Sequence, residues 1–366
     1  MNMIHARVGL QQRVLPEYRA EFFDTLATAC LQGLGVFAGE PCQGEAVEVV
    51  DQLSIAYYTH ARNLHFFRGS AYFYWQAGVL GWLQRWQPDV LIMEINPRNR
   101  SNPLAARWMK ERGRPVLGWG LGLPGAGKIY RLIYHSLLRS CDAVIAYSTT
   151  AALQYRHAGV DPSRVFVAAN AVTRRPTDLV VARPPSFHEN TPQLLFVGRL
   201  QPRKRVDTLL YALAMLPPHQ QPRLSIIGDG PDRSRLEMLA WQVYPRAVFH
   251  GAKRGQELDP YYQAADLFIL PGTGGLAIQQ AMAHALPVIV GAADGTQIEL
   301  VREENGWTLP DDSPETLARV IREALSDVER LRQKGLASRR IVSEEVNLEG
   351  MVKTFCTAVE SVLSKA

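Results

Sequence analysis

Short runs of apolar, β-branched and aromatic residues alternate with amphipathic stretches from one end of this chain to the other, and that alternation constrains the fold more than any other feature. It reads as α/β, with a parallel sheet covered by helices on both faces, since parallel neighbours need long crossovers that come to lie on the sheet. In the first half, strands are expected near Val36–Phe37, Val90–Ile95, Val116–Trp119, Ala143–Tyr147 and Val165–Ala168. Helices are expected around Tyr18–Cys30, Tyr72–Trp86, Leu104–Arg112, Ile129–Ser140 and Thr149–Ala158. The pattern stops at Asn170, and the proline-rich stretch that follows has no helical period, so it reads as a linker. Alternation resumes at Leu194–Val197 and continues through Leu267–Leu270 (strand), Leu276–Ala283 (helix) and Pro287–Val290 (strand). The expected organisation is a first domain over 1–172, a linker over 173–192 and a second domain over 193–345. A last helical segment, 346–366, either closes the second domain or crosses back onto the first. Two doubly wound domains would bind ligands at the carboxyl ends of their strands, facing a central cleft.

The length and composition suit this reading. At about 150 residues per domain, 366 residues make two to three domains, and 47% hydrophobic residues can fill a core in each. A net charge of +5, from 40 Lys and Arg against 35 Asp and Glu, is too small for a polycation that coats nucleic acid. Four cysteines, Cys30, Cys42, Cys141 and Cys356, lack the spacing of a zinc knuckle or a redox pair, which fits a reducing cytoplasm. Neither a signal peptide at Met1–Arg13 nor an apolar run of ~18 residues is present, so no bilayer span is expected. Between Arg98 and Arg139, nine Lys and Arg stand against Glu111 alone. Such a run marks an anionic partner, a peripheral contact with the inner face of a membrane, or an ordinary solvated face.

Candidate chemistry concentrates in the second half. At Leu267–Val290, LFILPGTGGLAIQQAMAHALPVIV, a strand ends at Pro271, a loop with Gly272, Thr273, Gly274 and Gly275 follows, and a helix begins. The first-turn N–H groups of that helix have no partner within it, so the loop suits a phosphate, though glycines equally serve a tight strand-to-helix turn. Upstream, in LFVGRLQPRKRVDTL, Arg199 and Lys204 follow another strand and can clamp a diphosphate, or remain surface cations. A third strand end, IIGDGP, is by itself a turn signal.

In this order, GRLQPRKRVDTLLYAL, SIIGDGPDRSRLE, VFHGAKRGQEL, YYQAADLFILPG, AMAHALPVIV and DGTQIELVREENGWTL resemble the C-terminal domain of the family-4 retaining glycosyltransferases, which have the GT-B fold. The N-terminal half is similar in VLPEYRAEFF, in the WG-G element at Trp119–Gly122 and in DAVIAYSTTAALQYRHAGVDPSRVFVAANAV. The likeness is greatest to the surface-polysaccharide branch. The resemblance implies transfer of a sugar from a nucleoside diphosphate donor, UDP- or GDP-linked, to a lipid-linked or polysaccharide acceptor. It further implies retention of the anomeric configuration and no metal or other cofactor. Arg199 and Lys204 would then bind and catalyse departure of the diphosphate, Gly272, Thr273, Gly274 and Gly275 would line it, and Gln280, Gly251, Lys253 and Arg254 would meet the ribose and base.

The chain departs from the family pattern at telling places. The glutamates of the family's Glu-x7-Glu motif correspond to Gly272 and Gln280, and the histidine of W-G-H-G corresponds to Leu121. Those losses motivate an alternative reading, a catalytically degenerate scaffold that binds nucleotide or glycan. In the first domain, Arg13, Tyr18, Arg19 and Leu121 are candidates for the acceptor side. Glu94, at a strand end, is the candidate carboxylate, unless it pairs with Arg98 or Arg100 to order a loop. His60 and His65 read as structural or surface residues. Gly122–Lys128, GLPGAGK, mimics a P-loop but continues with Ile129, lacking the hydroxyl that would hold Mg²⁺.

Overall fold

The computed structural model describes residues 3–42, 45, 47–123, 128–177, 183–187, 189, 191–291 and 296–364. The chain divides into two compact units, Met1–Val172 with Leu348–Ala366, and Thr173–Asn347. The first contains β1 (Val8–Val14), α1 (Glu17–Ala29), β2 (Leu34–Gly39), β3 (Tyr57–Phe66), β4 (Phe73–Ala77), α2 (Val79–Trp86), β5 (Val90–Glu94), α3 (Asn102–Lys110), β6 (Val116–Gly120), α4 (Lys128–Arg139), β7 (Ala143–Ala146), α5 (Thr149–His157) and β8 (Val165–Val167). They form an eight-stranded sheet in the order β4-β3-β2-β1-β5-β6-β7-β8, antiparallel between β3 and β4 and parallel elsewhere. Its central strands read VLIM and AVIA because both faces are covered.

The second unit contains β9 (Gln193–Val197), α6 (Val206–Ala214), β10 (Arg223–Ile227), α7 (Arg233–Val243), β11 (Ala247–Phe249), α8 (Asp259–Ala264), β12 (Leu267–Leu270), α9 (Leu276–Ala283), β13 (Val288–Val290), α10 (Thr296–Leu300), β14 (Gly306–Thr308), α11 (Pro314–Leu325) and α12 (Val328–Glu344). Its six strands are all parallel, in the order β11-β10-β9-β12-β13-β14. Chain order therefore reverses between β9 and β12, and in the first unit between β1 and β5. Such switch points are where open α/β sheets leave a crevice at their carboxyl edge. The loops after β9 and β12 carry the cationic and glycine-rich segments, while Arg13 and Glu94 lie at the ends of β1 and β5.

The last helix, α13 (Leu348–Leu363), belongs to the first unit, where Met351, Val352, Phe355 and Val359 join the core built on α1. The Phe355 ring meets Phe22 edge-on at 4.9 Å and Trp119 at 5.0 Å.

Several elements differ from the sequence expectation, among them the strands β1 and β3, which it does not include. The helix expected over Tyr72–Trp86 is a strand, β4, followed by the shorter helix α2. Aromatic residues in alternation suit a cross-strand partner, which β3 supplies in the register Phe66 to Phe73 and His65 to Tyr74. Gly78, at φ 86°, makes the break. The 17-residue α12 was absent from the sequence reading; its strongly charged surface hides the buried stripe Leu331, Lys334, Gly335, Ser338, Ile341 and Val342.

The middle of the basic run is locally neutralised although its side chains stay on the surface. Arg107 pairs with Glu111 at 2.7 Å, Lys110 with Asp142 at 2.5 Å, and Arg112 lies 4.0 Å over the Trp108 ring and donates to its carbonyl. Asp142 stands beyond the end of the run, so the neutralisation shows only in three dimensions. No described helix is long and apolar enough to cross a membrane.

Candidate active site

In the second unit, three loops at the carboxyl edge are stitched together by backbone contacts. Gly198 N donates to Ile227 O at 2.9 Å, and Gly228 N to Gly251 O at 2.8 Å, which joins the β9, β10 and β11 loops. Gly228 has φ 144°, and a Cβ there would collide with the Gly198 carbonyl oxygen. The IIGDGP signal is thus a close approach between loops that only glycine permits. Asp229 receives the Gly230 N–H at 2.6 Å and the Arg233 guanidinium at 3.1 Å. These bonds, with Arg199 a lesser influence, hold its carboxyl below the ordinary range.

The segment 202–204 forms a tight turn, and Arg205, at φ 57°, redirects the chain into α6. This turn brings Lys204 against the glycine loop after β12: its Nζ donates to Thr273 O at 2.6 Å. Arg203 Nη1 reaches Thr273 Oγ1 at 3.1 Å, and Thr273 N returns a bond to Arg203 O at 3.1 Å. From the other side, the buried Gln297 amide donates to Gly272 O at 3.0 Å. A Cβ at Gly272 would lie 2.6 Å and 2.7 Å from the Lys204 carbonyl carbon and Cα. Gly275 caps α9 without a side-chain bond, leaving the first-turn N–H groups of this eight-residue helix to the loop side. The cationic turn and the helix start therefore share one loop, an arrangement able to receive an anion from two sides.

The expected ribose and base residues are brought together only in part. Gly251 joins the Gly228 loop, as described, whereas Lys253 lies 3.8 Å from Glu257 and Arg254 caps the turn that begins at Gly255. Gln280 accepts a bond from the buried Tyr262 hydroxyl at 3.3 Å. Sequence reasoning missed Gln297, whose motif DGTQIEL gave no sign that its amide would reach Gly272. It also missed Arg183, inside the segment read as linker: this guanidinium donates to the carbonyls of Ala265, His284, Ala285 and Tyr262 at 2.8–2.9 Å. Burial, with Arg332 adding repulsion, lowers its pKa to about 10.

In the first unit, Arg13 and Glu94 do meet at the switch point: Arg13 N donates to Glu94 Oε2 at 3.1 Å and the Arg13 guanidinium pairs with Glu45 at 2.6 Å. Asn96 Nδ2 takes the other Glu94 oxygen at 3.1 Å, and among the described residues neither Arg98 nor Arg100 pairs with this carboxylate. Arg19 corrects the expectation of an acceptor-side cation. It is 4% exposed, donates to the Tyr147 hydroxyl at 3.0 Å and lies 4.5 Å from the Trp119 ring centre and 5.2 Å from that of Tyr147. Aromatic faces there compensate the charge that water would otherwise solvate. Tyr18 and Leu121 are exposed, Leu121 at 70%. His60 pairs with Glu40 at 3.1 Å and His65 Nδ1 contacts the Tyr72 hydroxyl at 2.8 Å, the structural roles expected for both. Of the P-loop-like stretch, residues 124–127 lie outside the described residues.

Comparison with known proteins agrees with this architecture. Residues 182–340 match the family described as Glycosyl transferases group 1, and residues 13–171 match the Glycosyl transferase 4-like domain. A GDP-mannose-dependent alpha-mannosyltransferase of Mycobacterium tuberculosis is 38% identical over 125 residues, 33% of this chain and 31% of that protein. A D-inositol 3-phosphate glycosyltransferase of Xylanimonas cellulosilytica is 28% identical over 282 residues, covering 69% of this chain and 62% of the relative. The chain thus spans from about a third to under two thirds of the length of these curated relatives. Among solved structures, sucrose-phosphate synthase from Thermosynechococcus elongatus superimposes with a TM-score of 0.74 at 18% identity, over 98% of this chain and 99% of that one. Anabaena HepE in complex with UDP and glucose gives 0.70 at 17% identity, over 98% of this chain and 100% of that one. With both halves matched and two doubly wound units of GT-B architecture, the chain belongs to the group 1, family-4 glycosyltransferases.

Proposed function

We propose that the chain transfers a sugar from a nucleoside diphosphate donor to a lipid-linked or polysaccharide acceptor, with retention of configuration and without a metal. The observation that carries this reading is the 2.6 Å bond from Lys204 Nζ to Thr273 O, which fixes a cation beside the glycine loop and the start of α9. In the reaction, the bond between the anomeric carbon and the diphosphate oxygen breaks and its electron pair leaves with the diphosphate. Arg199, Lys204 and the first-turn N–H groups of α9 stabilise that departing charge. The acceptor hydroxyl attacks from the same face, and the departing phosphate oxygen takes its proton, so little is asked of a protein base. Acceptor binding falls to residues of the first unit, with Arg13 and Glu94 at its switch point. UDP and GDP are the first nucleotides to test, because HepE was solved with UDP and the mycobacterial relative is named for GDP-mannose. A cytoplasmic site of action suits four cysteines that are all free.

The test is thermal unfolding with UDP, GDP, TDP and ADP on the unaltered chain and on Arg199→Ala and Lys204→Ala. At 100 times its dissociation constant a nucleotide stabilises by about 2.7 kcal/mol. A shift with one nucleotide that is lost in both variants is expected; no shift with any of them defeats the donor site. The second reading, a degenerate scaffold, draws on Gly272, Gln280 and Leu121, where the family's ionisable groups are absent. Release of free sugar from the matching donor, abolished by Lys204→Ala, rejects it.

A further inference from the structure

The β3–β4 hairpin is the antiparallel strand pair of the first sheet among the described residues, and its tip has an unusual surface. Residues 66–71, Phe-Phe-Arg-Gly-Ser-Ala, are all exposed, Phe66 at 41% and Phe67 at 72%. Phe67 holds φ 57°, a left-handed conformation rare for an aromatic residue, so the backbone keeps this ring outward at a local conformational cost. Phe66 and Phe73 stack across the strands at 5.1 Å, and Phe67 adds to them at 5.8 Å, making one aromatic cluster.

Cations frame the cluster. The loop after β5 is tied to β4 by Tyr74 N to Arg98 O and Arg100 N to Tyr74 O, both 2.9 Å. This places the Arg100 guanidinium 5.5 Å from the Phe73 ring centre and that of Arg98 5.7 Å from the Tyr72 ring centre. Arg62 and Arg68 are exposed on the hairpin itself. Among the described residues no carboxylate pairs with these four arginines, in contrast to Arg107 and Lys110. Arg98 and Arg100, at the beginning of the basic run, thus stay available beside the hairpin.

The geometry points to this tip, Phe66, Phe67, Arg68 and Phe73 with Arg98 and Arg100, as a surface that docks on an anionic lipid bilayer. Exposed apolar rings enter the interfacial region of a bilayer while neighbouring guanidinium groups meet lipid phosphates, and neither half alone holds a protein there. A glycan would be expected to find several hydroxyl, amide or carboxylate partners beside the rings, and apart from Ser70 the exposed tip offers arginines. A second copy of the chain would bring like charges together. The inference goes beyond the transferase reading and stands or falls without it, since its readout needs no sugar donor.

The test is co-sedimentation of the full chain with large unilamellar vesicles of phosphatidylcholine, alone or with about a third phosphatidylglycerol. Binding to the anionic vesicles, weakened about tenfold by Phe66→Ser with Phe67→Ser and again by Arg98→Gln with Arg100→Gln, is expected. Raised salt lowers it, and Arg107→Gln with Arg112→Gln leaves it unchanged. A nucleotide-induced thermal shift, or an unaltered melting profile if no nucleotide binds, shows that the tip variants remain folded. No binding by the unaltered chain, equal binding to neutral vesicles, or binding indifferent to both pairs overturns the proposal. So does loss of self-association in the tip variants with vesicle binding intact, which would assign the tip to a second copy.

Discussion

Gly272 occupies a position where the family pattern has a glutamate, and backbone proximity explains the glycine. The Lys204 main chain lies where any Cβ at 272 would go, so Gly272→Glu overpacks the loop instead of restoring a carboxylate. The expected outcome is a loss of about 1–3 kcal/mol in stability together with loss of any nucleotide-induced thermal shift. A variant that stays as stable and gains transferase activity would contradict the packing account. Two histidines with lowered pKa values make a second residue-level prediction. His65 and His250 have pKa values lowered from 6.5, first by burial and then by Arg13 and Lys253 respectively. Between those lowered values and 6.5 the unfolded chain holds more protons, so their stabilising contribution is full above 6.5 and falls away as pH drops through the folded pKa. Melting temperature followed from pH 7.5 to about 5 should decline less steeply in His65→Gln and His250→Gln; identical slopes would remove these residues as the cause. Lys204 and the Thr273 loop drew attention in sequence because both follow strands and one is rich in glycine. Nothing local announced that Arg19 would be enclosed by Trp119 and Tyr147, since those rings arrive from distant strands.

At the scale of elements, strands and helices of strong period were legible, and those of mixed character were not. Leu276–Ala283 forms a helix over the residues expected, because its neighbouring strand and glycine loop bound it unambiguously. Tyr72–Trp86 misled because aromatic residues tolerate either period, and pairing with β3 decided the outcome. The linker misled differently: Arg183 is an anchor, its guanidinium satisfying carbonyls at the ends of α8 and α9 that would otherwise be orphaned. Arg183→Gln is expected to destabilise the second unit by about 2–3 kcal/mol, read by denaturant unfolding. An effect below about 0.5 kcal/mol would mean that water replaces the guanidinium without loss.

For the whole molecule, the telling feature is that the chain completes the second unit and then returns to the first through α13. Phe355 fills the space between Phe22 and Trp119, so Phe355→Ala should cost the first unit about 3–5 kcal/mol. If the units unfold in separate transitions, the variant lowers one and leaves the nucleotide-sensitive one in place; a fall in the latter alone would assign α13's support to the wrong unit. The sequence by itself determined the α/β class, the division near the proline-rich stretch and the cationic and glycine-rich strand ends, because hydrophobic period and turn chemistry are local properties. Tertiary structure alone decided which groups each cation meets, from Lys110 with the Asp142 carboxylate to Arg183 with four main-chain carbonyls, and which of the many arginines go without a carboxylate among the described residues. Those outcomes depend on pairing between residues far apart in the chain, and charge has no periodicity from which a distant partner can be read.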